Sequence, residues 1–122
     1  MGYYVPASQI QVARIYDCRS RSEDLRILID RLWPRGMTRE AANIDDWLRD
    51  VAPSHSLRLW FGHDPARWDE FQAKYRQELS QREELIHDLR SRARHSPISL
   101  VSAAGDIVHC HAQVLRRVLL GR

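Results

Sequence analysis

The sequence predicts a small α/β domain, with a short, at least partly parallel sheet of about three strands covered by helices. Three observations carry that expectation. The apolar run from Leu25 to Leu32 holds Ile27, Leu28 and Ile29 in succession, so a strand there is apolar on both faces, as a central strand between helical layers must be. A second short apolar run, Ile98 to Ala103, follows Pro97. The chain between the two runs is long enough for a helical crossover, which lets the strands lie parallel with a right-handed connection.

Taken in order, Ile10 to Tyr16 alternates well enough for a first strand at a sheet edge, and Arg19 to Asp24 is a polar loop. The strand from Leu25 to Leu32 ends at Pro34 and Gly36. Thr38 is an expected N-cap for a helix to about Val51, with Ile44, Trp47, Leu48 and Val51 at i, i+3, i+4 and i+7. Pro53 breaks it. Ser54 can cap a short helix through Phe61 that Gly62 stops. Asp64-Pro65 opens the longest helix, with Pro65 pre-set for its first position. Its apolar stripe is Trp68, Phe71, Tyr75, Leu79, then Ile86 and Leu89. After the strand at Ile98 to Ala103, Asp106 caps a last helix, on which Ile107, Val114, Leu115, Val118 and Leu119 share a face before Gly121.

At 122 residues the chain is expected to be one domain, 1–122, able to bury a core of its own. The longest uncharged apolar runs fall far short of a membrane span. Met1-Gly2-Tyr3-Tyr4 lacks the charged start and apolar core of a signal peptide. Two cysteines, Cys18 and Cys110, do not make a disulfide framework. A reduced, cytoplasmic protein with no membrane partner is the expectation. The formal net charge is only +3, yet Lys74 is the sole lysine and every other cation is arginine. Arginine's planar fork suits carboxylates and phosphates. The arginines are interleaved with acids, however, as on an ordinary solvated surface.

Three groups of residues carry candidate chemistry. The first is Asp30-Arg31-Leu32-Trp33-Pro34-Arg35-Gly36, which emerges where a buried strand ends, the usual ligand position in an open α/β sheet. Arg31 and Arg35 suit bidentate contact with a phosphate or carboxylate. Equally, they suit an internal ion pair with Asp30, whose burial demands a partner, with Trp33 as core. The second is Asp106-Ile107-Val108-His109-Cys110-His111. On a helix, residues two apart sit about 200° around the axis, so His109 and His111 cannot share a metal ion there, and no metal site is expected. His111 falls in the apolar arc as a satisfied core residue. His109 falls on the polar side near Asp106 and suits proton transfer. Cys110 is either an activated thiol, favoured by a helix N-terminus and a neighbouring histidine, or a buried inert one. The third is Phe61-Gly62-His63-Asp64-Pro65, a helix stop and a helix start, which explains His63 least and leaves it free to line a cleft beside the arginines.

Arg14-Ile15-Tyr16-Asp17, the Asp30–Gly36 segment, Ala52-Pro53-Ser54 and Phe61-Gly62-His63-Asp64-Pro65 occur in this order. Together with Leu100 to Asp106, His109, His111 and Ala112, they closely resemble the YeaO-like family of small bacterial proteins, over about Val12 to Leu120. The family's function is unknown, so the resemblance implies an α/β fold, a bacterial cytoplasmic origin and a site location, but no reaction. The chain departs from the family pattern at Cys110, where asparagine is expected, and at Ser102, where an aromatic is common. Longer, more distant relatives resemble it less: their Cys-x-Glu corresponds here to Ser102-Ala103-Ala104, and their Cys-His-Arg to Cys110-His111-Ala112.

The leading functional expectation is a small-ligand protein, enzyme or not, that handles an anionic or phosphorylated compound at the carboxyl edge of the sheet. Asp30, Arg31, Trp33, Arg35 and Asp106 would form the binding set. His109 would be the acid/base, with His63 and Cys110 beside it. The alternatives are a nucleic-acid-binding or regulatory module, which needs a contiguous basic face, and a protein-interaction domain, which needs exposed tryptophans. Neither a basic stripe nor a helix-turn-helix is evident, and the helical spacing of Trp33, Trp47, Trp60 and Trp68 favours burial. No motif specifies the substrate, cofactor, reaction type or oligomeric state.

Overall fold

A computed structural model describes residues 5–17 and 24–122; Cys18 and residues 19–23 of the expected polar loop lie outside them. Four strands, all parallel, form one sheet: β1 (Ile10–Arg14), β2 (Leu25–Leu28), β3 (Asp46–Trp47) and β4 (Ile98–Ser102), in the order β1-β4-β2-β3. Ile10 pairs with Ile98 and Leu25 with the same residue, so β4 lies between the first two strands. The first strand is at an edge and the second is interior, as their patterns predict. The helices are α1 (Arg39–Ala42), α2 (His55–Phe61), α3 (Trp68–Leu79), α4 (Glu83–His95) and α5 (His111–Leu119).

Alternation along the strands divides the core. Ile27, Ile29, Ile98 and Leu100 face a large cluster that includes Phe61, Phe71, Tyr75, Leu89, Val114, Leu115 and Leu119 from α2 to α5. Leu28 and Val101 face the other way, into a smaller cluster with Ile15 and Ala42, closed by Trp33, Met37, Ile44 and Trp47. The second layer is therefore one short helix and two indoles. All four tryptophans are half-buried rather than fully covered.

Three expected helices are drawn differently. Thr38 does cap a helix, accepting from Ala41 N, but that helix ends at Ala42, where Asn43 turns into the left-handed region at φ 49°. Asp45 then exchanges bonds with β2: its N–H donates to Arg26 O and its carboxylate accepts from Arg26 N. Asp46–Trp47 continues as a strand beside Ile27 and Leu28. Asparagine and aspartate favour such local bonds over helix. The apparent stripe divides, with Ile44 and Trp47 in the small cluster and Leu48 and Val51 in the large one. The long helix from Pro65 is likewise two, α3 and α4, separated at Ser80–Arg82, where Arg82 reaches across to Ala52 O at 2.7 Å. Finally, Asp106 caps a turn rather than a helix, accepting from the N–H groups of Val108 and His109. Helix α5 starts at His111, and Cys110 is its N-cap residue. Among the described residues no helix is long and apolar enough to cross a membrane.

Candidate functional site

Where β2 and β4 end, the backbone ladder continues for one bond, Ile29 N to Val101 O at 3.0 Å. Asp30 follows, and its carboxylate accepts from the Ser102 hydroxyl and from Ala103 N–H, each at 2.8 Å. Trp47 Nε1 donates to Asp30 O at 2.7 Å. One residue thus ties the ends of two strands and an indole of the second layer.

The same carboxylate lies 3.3 Å from His111 Nε2, which also meets Ile29 O at 3.0 Å. Two acceptors face Nε2, so that nitrogen carries a hydrogen. Across the ring, His111 Nδ1 is 3.7 Å from Cys110 Sγ. Both side chains of the His111–Asp30 pair are mostly buried, at 15% and 17% exposure, and Cys110 retains 3%. Burial alone would raise the Asp30 carboxyl, but His111, the Ala103 N–H and the Ser102 hydroxyl outweigh it and hold it below its usual value. Burial would lower the His111 imidazole, yet Asp30 and Cys110 lift it to about 10. The Cys110 thiol, which burial raises, is brought below its ordinary value by His111, with the Ala112 N–H and Ser102 hydroxyl assisting. Sulfur, imidazolium and carboxylate form one charge-coupled line.

This line forms part of the wall of a cleft of about 390 Å³. Asp30, Arg31, Trp33 and Arg35 line it from the segment after β2, His63 from the α2–α3 link, and His109 and Cys110 from the approach to α5. The sequence-selected residues therefore converge, apart from Asp106. That residue is exposed outside the wall, where the His109 ring and backbone hold its carboxyl below the usual range.

Their surroundings differ from one another. Arg31 spends Nε and Nη2 on the carbonyls of Pro53 and Ala52, at 3.2 and 3.3 Å, so its fork fastens the turn before α2. Arg35 is exposed and makes no side-chain hydrogen bond or ion pair among the described residues. Trp33 donates to Met37 O at 2.7 Å and meets Trp47 edge-on at 5.5 Å. His63 is exposed with φ 58°, and its ring is 6.2 Å from Phe61. His109 Nδ1 is 2.8 Å from Asp106 Oδ2, and the ring stands edge-on to Trp68 at 5.4 Å. Because His109 precedes α5, the 200° argument against a shared metal loses its premise. The two imidazoles are each held by a different carboxylate, and among the described residues no three or more His, Cys, Asp or Glu side chains are placed so that they could hold a metal ion.

Arg58 of α2, absent from the expected set, also lines the cleft, half-buried and with no side-chain partner among the described residues. Its place three residues before the buried Phe61 puts both on one side of the helix, a signal the sequence did contain. His111 is satisfied, as periodicity suggests, but by a carboxylate and in the cleft wall. Phe61 and Phe71 supply an apolar part of the wall.

The chain has relatives in sequence. Uncharacterised proteins of Mycobacterium bovis (Mb3100c) and Mycobacterium tuberculosis (Rv3073c) are each 36% identical over 118 residues, covering 97% of this chain and 99% of theirs. The uncharacterised protein YeaO of Escherichia coli is 36% identical over 106 residues, 87% of this chain and 92% of its own. No solved structure matches. A family model described as the inactive DUF488-N3 subclade matches residues 9–122, and with these relatives it establishes that the chain belongs to that YeaO-like family of unknown function.

Proposed function

We propose that the cleft at the carboxyl edge of the sheet binds a small anionic molecule carrying a carboxylate or phosphate group. One observation carries this reading: the wall holds Arg35 and Arg58 without partners, while its one acidic residue, Asp30, is already engaged by His111. A guanidinium free of protein acids offers its whole fork to a ligand oxyanion. Phe61 and Phe71 give an apolar surface for the rest of the molecule, in the usual manner of small-ligand sites. His109, fixed through Nδ1 by Asp106, keeps Nε2 for a ligand oxygen. The family's description uses the word inactive, and a binding role agrees with it.

A nucleic-acid role draws little support from the arginines of α4 and α5. Arg90 donates to the carbonyls of Leu119 and Val118, Arg92 is paired with Asp46 and Asp88, and Arg116 donates to those of Ile10 and Ala7. Those guanidinium groups serve the fold.

Thermal unfolding in inorganic phosphate, pyrophosphate and malonate, against chloride of equal ionic strength, tests the reading. At least one anion is expected to raise the midpoint. Arg35→Ala and Arg58→Ala should leave the ligand-free midpoint nearly unchanged, within about 0.5 kcal/mol. Each should weaken the anion at least about tenfold, the loss of one charge-assisted bond. No shift with any anion, or a shift that survives both substitutions, refutes the proposal.

A further inference from the structure

We infer that Cys110 is a reactive thiol of the cleft wall, able to form a covalent bond with an anionic electrophile that Arg35 and Arg58 hold. The inference rests on the anion-binding reading and adds a chemistry to it. Three geometric facts support it. Cys110 Sγ lies 3.7 Å from His111 Nδ1, and the far nitrogen of that ring is fixed by Asp30 Oδ1 and Ile29 O. Nε2–H is thereby held toward a carboxylate and a carbonyl, which leaves Nδ1 facing the sulfur and places a carboxylate behind the ring to balance a charge gained there. Cys110 is also the N-cap residue of the nine-residue α5, where backbone N–H groups favour a negative sulfur. Finally, the residue is nearly covered from bulk solvent yet forms part of the wall of the cleft that carries the two unpartnered guanidinium groups. An inert core cysteine needs none of these features.

The step balances without any further reagent. The Cys110 thiolate attacks the electrophilic carbon, and the S–C bond forms as the bond to the leaving group breaks. The leaving group departs with that electron pair, and the His111 Nδ1 proton, facing the sulfur, is available to it. Nothing is oxidised or reduced. A single covalent capture needs no turnover, so the chemistry is compatible with a family described as inactive.

The test uses the intact chain and two alkylating probes, neutral iodoacetamide and anionic iodoacetate, with the Cys110 peptide followed by mass spectrometry at neutral pH. In each, the thiolate displaces iodide. The reference is the same cysteine in the chain unfolded by urea. Native Cys110 is expected to react with iodoacetamide faster than this reference, because the larger thiolate fraction outweighs its lower intrinsic nucleophilicity. The iodoacetate-to-iodoacetamide ratio should exceed that of the unfolded chain and fall back in Arg35→Ala and Arg58→Ala. His111→Asn should slow both probes while leaving the ratio. A native rate at or below the unfolded one overturns the reactive thiol and leaves anion binding to its own thermal test. A fast thiol with no preference for iodoacetate overturns the anionic class of electrophile, and with it the reading of the cleft.

Discussion

Asp30 combines duties that a sequence pattern reports separately. It closes β2, holds Ser102 and Ala103 at the end of β4, and fixes the charge on His111. That coupling makes stability depend on pH from both sides. The His111 value is raised in the folded chain to about 10, against about 6.5 when unfolded. Its contribution is therefore complete below the unfolded value and drains away as pH rises from there to about 10. The Asp30 value is lowered, so its contribution is present above the ordinary carboxylate value and is lost as pH falls through that value and below. Asp30→Asn is expected to flatten the alkaline slope of the thermal midpoint and to bring the His111 titration, followed by NMR, down toward the ordinary imidazole range. An unchanged alkaline slope would separate His111 from Asp30. The sequence makes Asp30 conspicuous, as an acid at the end of an apolar strand, and suggests arginine as its partner. The partner is instead a histidine on the last helix, and no local spacing links positions so distant along the chain.

Helix ends set by a side-chain oxygen or a glycine are the legible elements. Thr38 accepts from Ala41 N, Ser54 from Leu57 N and Asp64 from Ala66 N, and Gly62 stops α2 at φ 54°. Ends set by tertiary contacts are not legible. Asp45 and Asp46 leave a helical pattern because β2 has an open edge to fill. The break after α3 contains neither glycine nor proline, although Glu83-Glu84 at the start of α4 and Arg92, Arg94 and His95 at its end match the helix dipole and did mark a separate helix. Ser54 shows how much one legible cap can hold. Its hydroxyl also donates to Glu78 of α3, whose other oxygen accepts from Ser54 N at 2.8 Å, so the cap joins two helices that flank the cleft. Ser54→Ala should cost about 1–2 kcal/mol, the upper part of the range for an N-cap, read as a lower urea midpoint with an unchanged slope. A cost below a few tenths would mean that the Glu78 bond to Ser54 N carries the junction alone.

Across the whole molecule, arginine is the fastener between distant segments. Arg26 donates to the carbonyls of Ala42 and Asn43, Arg31 to those of Ala52 and Pro53, and Arg82 to Ala52. Arg90 closes α4 onto the end of α5, and Arg116 closes α5 onto the start of β1. A composition with one lysine therefore has a structural use that charge counting does not reveal, and the cleft arginines without such a tie among the described residues are Arg35 and Arg58. The fork is what matters at these ties. Arg116 places Nε 2.7 Å from Ile10 O and Nη2 3.0 Å from Ala7 O, two fixed directions that a single ammonium cannot reproduce. Arg116→Lys keeps the charge and the apolar stem, yet it should lose about 1–2 kcal/mol in urea unfolding, because one carbonyl forfeits a charged donor. The same substitution at Arg35, which fastens nothing, should leave stability unchanged while weakening the anion. If the two substitutions proved equally silent in unfolding, the ties would be incidental, and arginine enrichment would again need a partner outside the fold.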